Sequence, residues 1–364
     1  MKVIFDPQIF SLQRYGGISR YFAELSSNMY RLQLSDVNIH CPNYACQYLR
    51  DVPTEIFKDG IDVSAEISSR HRRLYYSAKN LWSFGQKISH TKYDIVHHTY
   101  YLPLANALPA KARVTTIHDM IGEGESVFNI RSLLKYRSIK QADHVICVSE
   151  YTRQMVLRLC DVSPCKLSVV HLGRPVVNTE FAAPRLQGRP YILYVGLRTG
   201  YKNFSRFLAA YESLDRVRKD FRVVCFGGGP FTSREIDSFH QFGLGEQDVS
   251  HIDGSDAILH AAYRGAYLFV YPSEQEGFGL PPLEAMSLGT PVACSNTTSI
   301  PEVVGSAGAY FDPTIVDSIA LTLQTVLYSD TFRGQLIAAG YQQADKFSWR
   351  RCAIETHEVY RKIA

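Results

Sequence analysis

Two glutamates, Glu276 and Glu284, are separated by seven residues in a segment rich in glycine and proline. An apolar run at 267–271 precedes this segment, and a run of helix formers at 283–288 ends it. This order predicts a buried strand, a glycine-containing loop and a helix, with one carboxylate on the loop and the other in the first helical turn. Ionised carboxylates only accept hydrogen bonds, so they suit sugar and ribose hydroxyls, whereas N–H groups at the helix start suit phosphate. The alternative is an acidic helix start without a ligand.

Two cations form a second candidate group. A strand pattern is followed by Gly196, Arg198 and Lys202, and the two cations lie four residues apart in one loop. A planar guanidinium and a point-charged ammonium can together hold a diphosphate. The alternative is a pair of exposed loop cations.

Further candidates follow strand patterns in the first half of the chain. Gly16 and Gly17 separate the first strand pattern from the first helix pattern, so the backbone there can approach an anion closely. His118 follows the strand pattern 114–117, where an imidazole can donate to a sugar hydroxyl or steady a developing charge. A structural histidine is the alternative for His118. The pair His97-His98 ends another strand pattern, and we expect it to be structural or to face an acceptor.

Length and composition indicate a globular protein. At roughly 150 residues per domain, 364 residues predict two domains. No apolar stretch approaches the roughly 18–20 residues that span a bilayer. The first residues read as a buried strand and not as a signal peptide, so we expect a cytoplasmic protein. The eight cysteines include no C-x-x-C pair and no histidine spacing typical of zinc, which predicts reduced thiols.

Charge is distributed unevenly along the chain. The net charge of +4 is too small to indicate a nucleic-acid partner. Residues 1–170 carry 21 Lys and Arg against 15 Asp and Glu, whereas residues 171–364 carry 18 against 20. Basic clusters at 70–73 and 131–140 predict contact with an anionic membrane surface or a pyrophosphate-linked lipid. A solvated basic face is the alternative.

Short apolar runs alternate with helical patterns throughout the chain, which predicts an α/β fold with two doubly wound, Rossmann-like domains. Prolines 175, 184 and 190 in the weakly periodic segment 172–190 indicate a linker. Ligands of such sheets bind outside the carboxyl ends of the strands, so the expected site is a cleft across which the two sheets face each other. Strands are expected at 2–5, 37–41, 94–98, 114–117, 144–148, 167–170, 191–195, 222–226, 267–271 and 292–294. Helices are expected at 17–29, 133–142, 152–159, 203–214, 319–328 and 333–343.

The motifs of this chain, and the order in which they follow one another along the sequence, resemble those of the retaining glycosyltransferases of family 4, which have the GT-B fold. The segment 276–284 resembles the E-x7-E motif of that family, and residues 15–21 resemble its bacterial members that build surface polysaccharides. The other matching motifs are Gly16-Gly17, His118-Asp119, Gly196 to Lys202-Asn203, the glycines 227–229 with Pro230, and residues 299–302. The resemblance implies an acceptor-side domain at 1–173, a donor-binding domain at 174–345 and a C-terminal helix at 346–364 that returns to the first domain.

The resemblance also implies roles for individual residues. Glu284 would bind the donor ribose, and Glu276, with the N–H groups of Phe278 and Gly279, would hold the donor sugar. Arg198 and Lys202 would stabilise the leaving diphosphate, so that no metal or other cofactor is required. The implied donor site comprises Gly16, Gly17, Gly196, Arg198, Lys202, Gly254, Glu276, Gly277, Phe278, Gly279, Leu280 and Glu284, and the implied catalytic residues are His118, Glu276, Arg198 and Lys202.

The function that the resemblance implies is retaining transfer of a hexose or deoxyhexose, of mannose or rhamnose type, from a nucleotide-diphosphate sugar. The acceptor would be a glycan or a lipid-linked glycan in surface-polysaccharide or O-antigen synthesis, at the inner face of the membrane or in the cytoplasm. Two mechanisms of retaining transfer stay open. In one the acceptor attacks the sugar on the same face from which the diphosphate leaves, and in the other a nucleophile of the enzyme carries out a double displacement. The alternatives are another GT-B enzyme, such as an epimerase or a phosphorylase, and a non-catalytic partner subunit that binds sugar nucleotides.

Overall fold

The computed structural model describes residues 1–67, 69–101, 110–122, 130–175 and 188–364. These residues form two compact units, one of Met1–Gly173 with Ser348–Ala364 and the other of Arg174–Phe347. The described part of each unit contains a six-stranded sheet with parallel neighbours, which confirms the predicted α/β fold with two doubly wound domains. Most of the predicted linker, residues 176–187, lies outside the described residues, as do the side chains of Arg70 and Arg131.

The sheet of the first unit has the strand order β2-β1-β5-β6-β7-β8. Its strands are β1 (Lys2–Phe5), β2 (Asp36–Ile39), β5 (Ile95–His98), β6 (Ala112–Ile117), β7 (His144–Cys147) and β8 (Leu167–Val169), and β3 (Asn43–Tyr44) pairs separately with β4 (Ile61–Asp62). The described helices are α1 (Gln8–Leu12), α2 (Gly17–Arg31), α3 (Arg70–His90), α4 (Ile130–Gln141), α5 (Glu150–Leu159) and α14 (Trp349–Ile363).

Successive residues of β1 show which face of this sheet each helix covers. Phe5 packs against Phe22 of α2, whereas Ile4 lies in the same buried cluster as Phe84 of α3. Because neighbouring side chains of a strand point to opposite faces, α2 and α3 cover opposite faces. Helix α14 packs against α2 and therefore lies on the Phe5 face.

Helix α4 lies on the same face as α3. Ser138 of α4 donates a hydrogen bond to Thr115 of β6, which is opposite His98 in the sheet register. His98 is two residues beyond Val96, and Val96 is opposite Ile4. Side chains opposite each other or two residues apart share a face, so Thr115 and Ile4 lie on one face. Helices α3 and α4 therefore cover the same face of the first sheet.

The sheet of the second unit has the order β11-β10-β9-β12-β13-β14. Its strands are β9 (Tyr191–Val195), β10 (Arg222–Phe226), β11 (Val249–Ile252), β12 (Leu268–Tyr271), β13 (Val292–Ser295) and β14 (Gly308–Phe311). The described helices are α6 (Phe204–Glu212), α7 (Asp215–Asp220), α8 (Ser233–Gln241), α9 (Asp256–Gly265), α10 (Leu280–Ser287), α11 (Ile300–Val304), α12 (Val316–Leu327) and α13 (Asp330–Ala344). The direction of winding reverses between β9 and β12, where open α/β sheets bind ligands.

Several elements were absent from the sequence-based prediction. The helices α3, α8 and α9 are the longest omissions, and the strands β11 and β14 of the second sheet were also absent. Strand β11 reads Val-Ser-His-Ile and is only partly buried, so it lacks the continuous apolar run of the central strands. Strand β14 includes a glycine and lies at the sheet edge, where β-propensity is a weaker signal.

Candidate active site

Two loops meet where the winding of the second sheet reverses. One loop follows β9 and carries Gly196, Arg198 and Lys202, and the other follows β12 and carries Glu276. Because β9 and β12 are parallel neighbours, the two loops leave the same edge of the sheet side by side. The sequence-based prediction placed these residues in loops that follow strands, and the structure brings Lys202 and Glu276 into direct contact.

Lys202 and Glu276 form an ion pair, with 2.6 Å between Lys202 Nζ and Glu276 Oε1. Lys202 also donates to the hydroxyl of Tyr271, at 3.3 Å, and its ammonium lies over the Tyr271 ring. Burial raises the pKa of the Tyr271 hydroxyl well above its usual range, and the charge of Glu276 adds to the effect. A protonated tyrosine, an ammonium and a carboxylate therefore occupy one mostly buried position. Tyr271 was not among the predicted site residues, because its strand reads as core.

The backbone around Glu276 is fixed by the loop that follows β13. The N–H of Glu276 donates to Thr298 Oγ1 at 3.2 Å, and the Ser299 hydroxyl donates to the carbonyls of Glu276 and Phe278 at 2.9 and 3.0 Å. Thr298 has a φ of 57°, a left-handed conformation that is rare for a β-branched residue. Such backbone strain is typical of positions that the surrounding structure holds for a function.

Glu284 lies in the second turn of α10. The sequence-based prediction had placed it in the first turn. The helix begins at Leu280, because Pro281 occupies an N-terminal position that needs no N–H and is already set to a helical φ. Gly279 caps the helix with a φ of 112°, which favours glycine. Glu284 is buried and accepts a hydrogen bond from the Tyr263 hydroxyl at 3.2 Å.

Arg198 forms a network that is distinct from the contacts of Lys202. Its Nε donates to Glu235 at 2.6 Å, and its two terminal nitrogens donate to the carbonyls of Gly227, Gly229 and Pro230. Its side chain is 3% exposed. These bonds hold the glycine turn after β10, so in this structure the guanidinium positions that turn. The predicted contact of Arg198 with a diphosphate stays a prediction.

Glu235 and Gly228 complete this network. Partial burial acts to raise the pKa of the Glu235 carboxyl, but the hydrogen bonds from Arg198 and Thr232 outweigh it and leave the pKa below its usual value. Gly228 has a φ of 75°, and a Cβ there would lie 2.8 Å from an Arg198 nitrogen. Glycine is therefore required at this position.

The remaining donor-site predictions divide between the two units. Gly254 follows β11 at the carboxyl edge of the second sheet, and Gly277 lies in the loop between β12 and α10. Gly16 caps the N-terminus of α2 in the first unit and Gly17 begins the helix, where the Gln13 side chain accepts a hydrogen bond from the N–H of Ser19. An amide of the first turn of α2 is thereby already paired within the chain.

His118 directly follows β6, as predicted. Burial lowers the pKa of its imidazole to about 4, Asp119 opposes this shift and Lys135 adds to it. His118 Nε2 is enclosed and has no hydrogen-bond partner within the described residues. At neutral pH the ring is therefore uncharged, so it can donate one hydrogen bond and accept another but supplies no positive charge.

The histidines that end β5 differ from each other. His97 is fully buried and is bonded to Tyr360 of α14 at 2.5 Å and to Thr116 at 2.8 Å, so its contacts are structural. His98 contacts Asp6 at the end of β1, with 2.9 Å between Nδ1 and Oδ2, and its Nε2 is enclosed without a partner in the described part of the chain. Asp6 and His98 lie where the winding of the first sheet reverses. Sequence reasoning did not single out Asp6, because its partner is 92 residues away.

Comparison with known proteins identifies the family. Residues 177–343 match the model of the glycosyl transferases group 1, and residues 15–178 match the model of glycosyltransferase family 4. An O-antigen chain mannosyltransferase B from Escherichia coli is 31% identical over 293 residues, which cover 74% of this chain and 75% of the relative. The chain is a family 4 glycosyltransferase. The family resemblance seen in the sequence is thereby confirmed.

Two further likenesses extend this result. A serotype-specific mannosyltransferase WbdA from Escherichia coli is 28% identical over 244 residues, which cover 63% of this glycosyltransferase but only 30% of the relative. The solved structure of WaaG, a glycosyltransferase involved in lipopolysaccharide biosynthesis, is 15% identical with a TM-score of 0.73 and 99% coverage of both chains. This structural likeness confirms the GT-B fold. Family membership also implies a nucleotide-sugar donor and a glycan acceptor.

Two further findings concern metal and membrane. Across residues 1–67, 69–101, 110–122, 130–175 and 188–364, no group of three His, Cys, Asp or Glu side chains is arranged to hold a metal ion. Within the same ranges of this glycosyltransferase, every helix is too short or too polar to cross a membrane.

The lowered pKa of His118 predicts a pH effect on stability. The unfolded chain takes up a proton on this imidazole near its ordinary pKa of 6.5, whereas the folded glycosyltransferase does so near 4. Its contribution to stability is therefore complete above about pH 6.5 and is lost as the pH falls toward about 4. We expect His118→Gln to lose less free energy of unfolding over this interval than the wild type. Urea denaturation at several pH values measures the difference, with exposed His90→Gln as the control; equal slopes for wild type and His118→Gln would contradict the argument.

Proposed function

We propose that this glycosyltransferase transfers a hexose, with mannose favoured, from a nucleoside-diphosphate donor to a glycan or lipid-linked glycan. Transfer would retain the anomeric configuration and serve surface-polysaccharide or O-antigen synthesis. The preference for mannose is supported by two relatives that are mannosyltransferases by name, one of them an O-antigen chain enzyme. The observation that carries the assignment of the site is the Lys202–Glu276 ion pair at the reversal point of the second sheet.

The chemistry of this pair suits a sugar nucleotide. Lys202 supplies a positive charge for the departing diphosphate, and Glu276 supplies acceptor oxygens for the hydroxyls of the transferred sugar. In the free protein each group neutralises the other, so neither charge is left unpaired in a mostly buried position. Binding of a donor would replace one ion pair by two sets of contacts, to phosphate and to sugar.

Donor and stereochemistry can be tested directly. We expect GDP, or GDP-mannose, to raise the melting temperature of the purified protein more than UDP, dTDP or their sugars, because a ligand that binds only the folded state stabilises it. Incubation of GDP-mannose with a mannan-type acceptor, followed by NMR of the anomeric proton, reports retention or inversion. Inversion would reject the retaining mechanism, and a stronger response to UDP or dTDP sugars would reject the preference for mannose.

Metal independence is a separate prediction. Because Lys202 can neutralise the leaving diphosphate, we expect turnover to be unchanged in EDTA. The measurement compares initial rates with EDTA, with added Mg²⁺ and with added Mn²⁺. Loss of turnover in EDTA that Mn²⁺ restores would show that a cation other than Lys202 is needed on the diphosphate.

A further inference from the structure

Helix α3 has an unusual composition for a surface helix. Its sequence contains five Lys and Arg residues and no Asp or Glu. Its buried side is narrow and consists of Asn80, Phe84 and Ile88, four residues apart. On its other side Tyr75 and Trp82 are 60% and 67% exposed, and Leu74 is similarly exposed. Exposed aromatic residues beside cations are typical of helices that lie on a membrane surface.

The exposed aromatic residues and the cations share one stripe. Positions three, four and seven residues apart lie on one side of a helix, which groups Arg72, Tyr75, Lys79 and Trp82. All four side chains are exposed. The stripe points away from the side that packs on the sheet, because Asn80, Phe84 and Ile88 occupy the opposite side. It therefore combines an apolar part that a lipid interface accepts with charges that attract anionic headgroups.

Helix α4 repeats this composition on the same face of the first unit. Its sequence contains four Lys and Arg residues and no acid. Ile130 and Leu133 are exposed, and the exposed Arg137 and Lys140 continue the same side of the helix at spacings of four and three residues. Because α3 and α4 cover the same face of the sheet, their exposed cations and apolar side chains are presented in one direction.

We propose that the outer surface of α3 and α4 docks this glycosyltransferase on an anionic lipid bilayer. The docking surface is defined by Arg72, Tyr75, Lys79 and Trp82 of α3 and by Ile130, Leu133, Arg137 and Lys140 of α4. Aromatic side chains with a polar edge would enter the headgroup region, and the cations would contact lipid phosphates. The inference does not depend on the proposed sugar transfer, because it concerns binding to lipid alone.

Charge complementarity favours a bilayer as the occupant. Among the residues that the structure describes, two acids beside these helices are paired within the chain, since Glu66 accepts from Tyr76 and Asp119 pairs with Lys135. A symmetric contact with a second copy would bring the acid-free helices of both copies together, and like charges repel. An anionic bilayer supplies opposite charge over the whole surface.

Co-sedimentation of the full chain with vesicles tests the proposal. We expect binding to phosphatidylcholine vesicles that contain about one third phosphatidylglycerol, and little binding to phosphatidylcholine alone. Binding should weaken strongly at ~0.5 M salt, because salt screens charge contacts. The double variant Arg72→Gln with Lys79→Gln should bind about 30-fold more weakly, from roughly fivefold per cation. Tyr75→Ser with Trp82→Ser should bind at least about tenfold more weakly.

Matched variants separate a local docking surface from a general charge effect. Arg350→Gln with Arg361→Gln removes the same charge from α14, which lies on the opposite face of the first sheet. Leu321→Ser removes an exposed apolar side chain from the second unit. We expect both controls to bind like the wild type. Equal weakening in the α14 control, absence of binding at low salt, or a change of oligomeric state in Tyr75→Ser with Trp82→Ser without loss of lipid binding would overturn the proposal.

The vesicles contain neither donor nor acceptor, so the result is independent of turnover. Loss of sugar transfer in a chain that still binds anionic vesicles would count against the proposed function alone. Loss of vesicle binding in a chain that still transfers sugar to a water-soluble acceptor would count against the docking surface alone.

Discussion

Replacement of Lys202 by alanine is expected to lower turnover at saturating donor by about 10²–10³-fold. The ammonium of Lys202 lies at the reversal point of the second sheet and is mostly buried, so a charge on the leaving diphosphate would be poorly screened there. Loss of one pre-organised charge contact of this kind costs roughly 2.7–4 kcal/mol in the transition state. Initial rates with the donor identified by the melting experiment measure the effect.

The structure shows why this variant needs a control for stability. Lys202→Ala leaves the carboxylate of Glu276 without its ion-pair partner, which destabilises a mostly buried site. The double variant Lys202→Ala with Glu276→Gln removes that unpaired charge, so we expect it to regain thermal stability but not turnover. Arg206→Gln breaks the more exposed ion pair with Glu274 nearby, and it should leave turnover within a few-fold of the wild type. If Lys202→Ala retains turnover within the same range, Lys202 does not stabilise the leaving group.

Much of the fold follows from local sequence signals. Central strands such as β9 and β12 read as continuous apolar runs because both faces of each strand are covered by helices. The loops that follow them carry Lys202 and Glu276, and parallel pairing of the strands brings those loops together. The contact between Lys202 and Glu276 is thus a consequence of topology, although the two residues are 74 positions apart.

Other features depend on tertiary partners that no local pattern reveals. Arg198 bonds to Glu235, 37 residues further along the chain, and to carbonyls of the turn between them, so its spacing to Lys202 did not disclose its role in this structure. Helix α3 was missed because exposed Tyr75 and Trp82 interrupt the usual alternation of apolar and polar sides. The break in the amphipathic pattern is itself informative, because the exposed side chains of Tyr75 and Trp82 that cause it belong to the proposed docking surface.

The two glutamates of the E-x7-E motif are expected to fail in different ways. Glu284 lies inside α10, where it accepts a hydrogen bond from Tyr263, and it is proposed to contact the donor ribose. Glu284→Gln replaces a carboxylate acceptor by an amide, so we expect it to weaken binding of the nucleoside diphosphate itself. Loss of a hydrogen bond to a charged group costs about 1.5–3 kcal/mol, or roughly ten- to hundredfold in Kd.

Glu276→Gln should leave the affinity for the nucleoside diphosphate nearly unchanged and impair sugar transfer, because Glu276 is proposed to contact the sugar and not the nucleotide. The amide also releases Lys202 from its ion pair, which makes the ammonium more available to a diphosphate and works against any loss of affinity. Calorimetry with the diphosphate, together with initial rates, separates the two variants. Glu274→Gln, the same substitution two residues away, serves as the control for the loop. An equal loss of diphosphate affinity in both variants, or a loss confined to Glu276→Gln, would reject this division of roles.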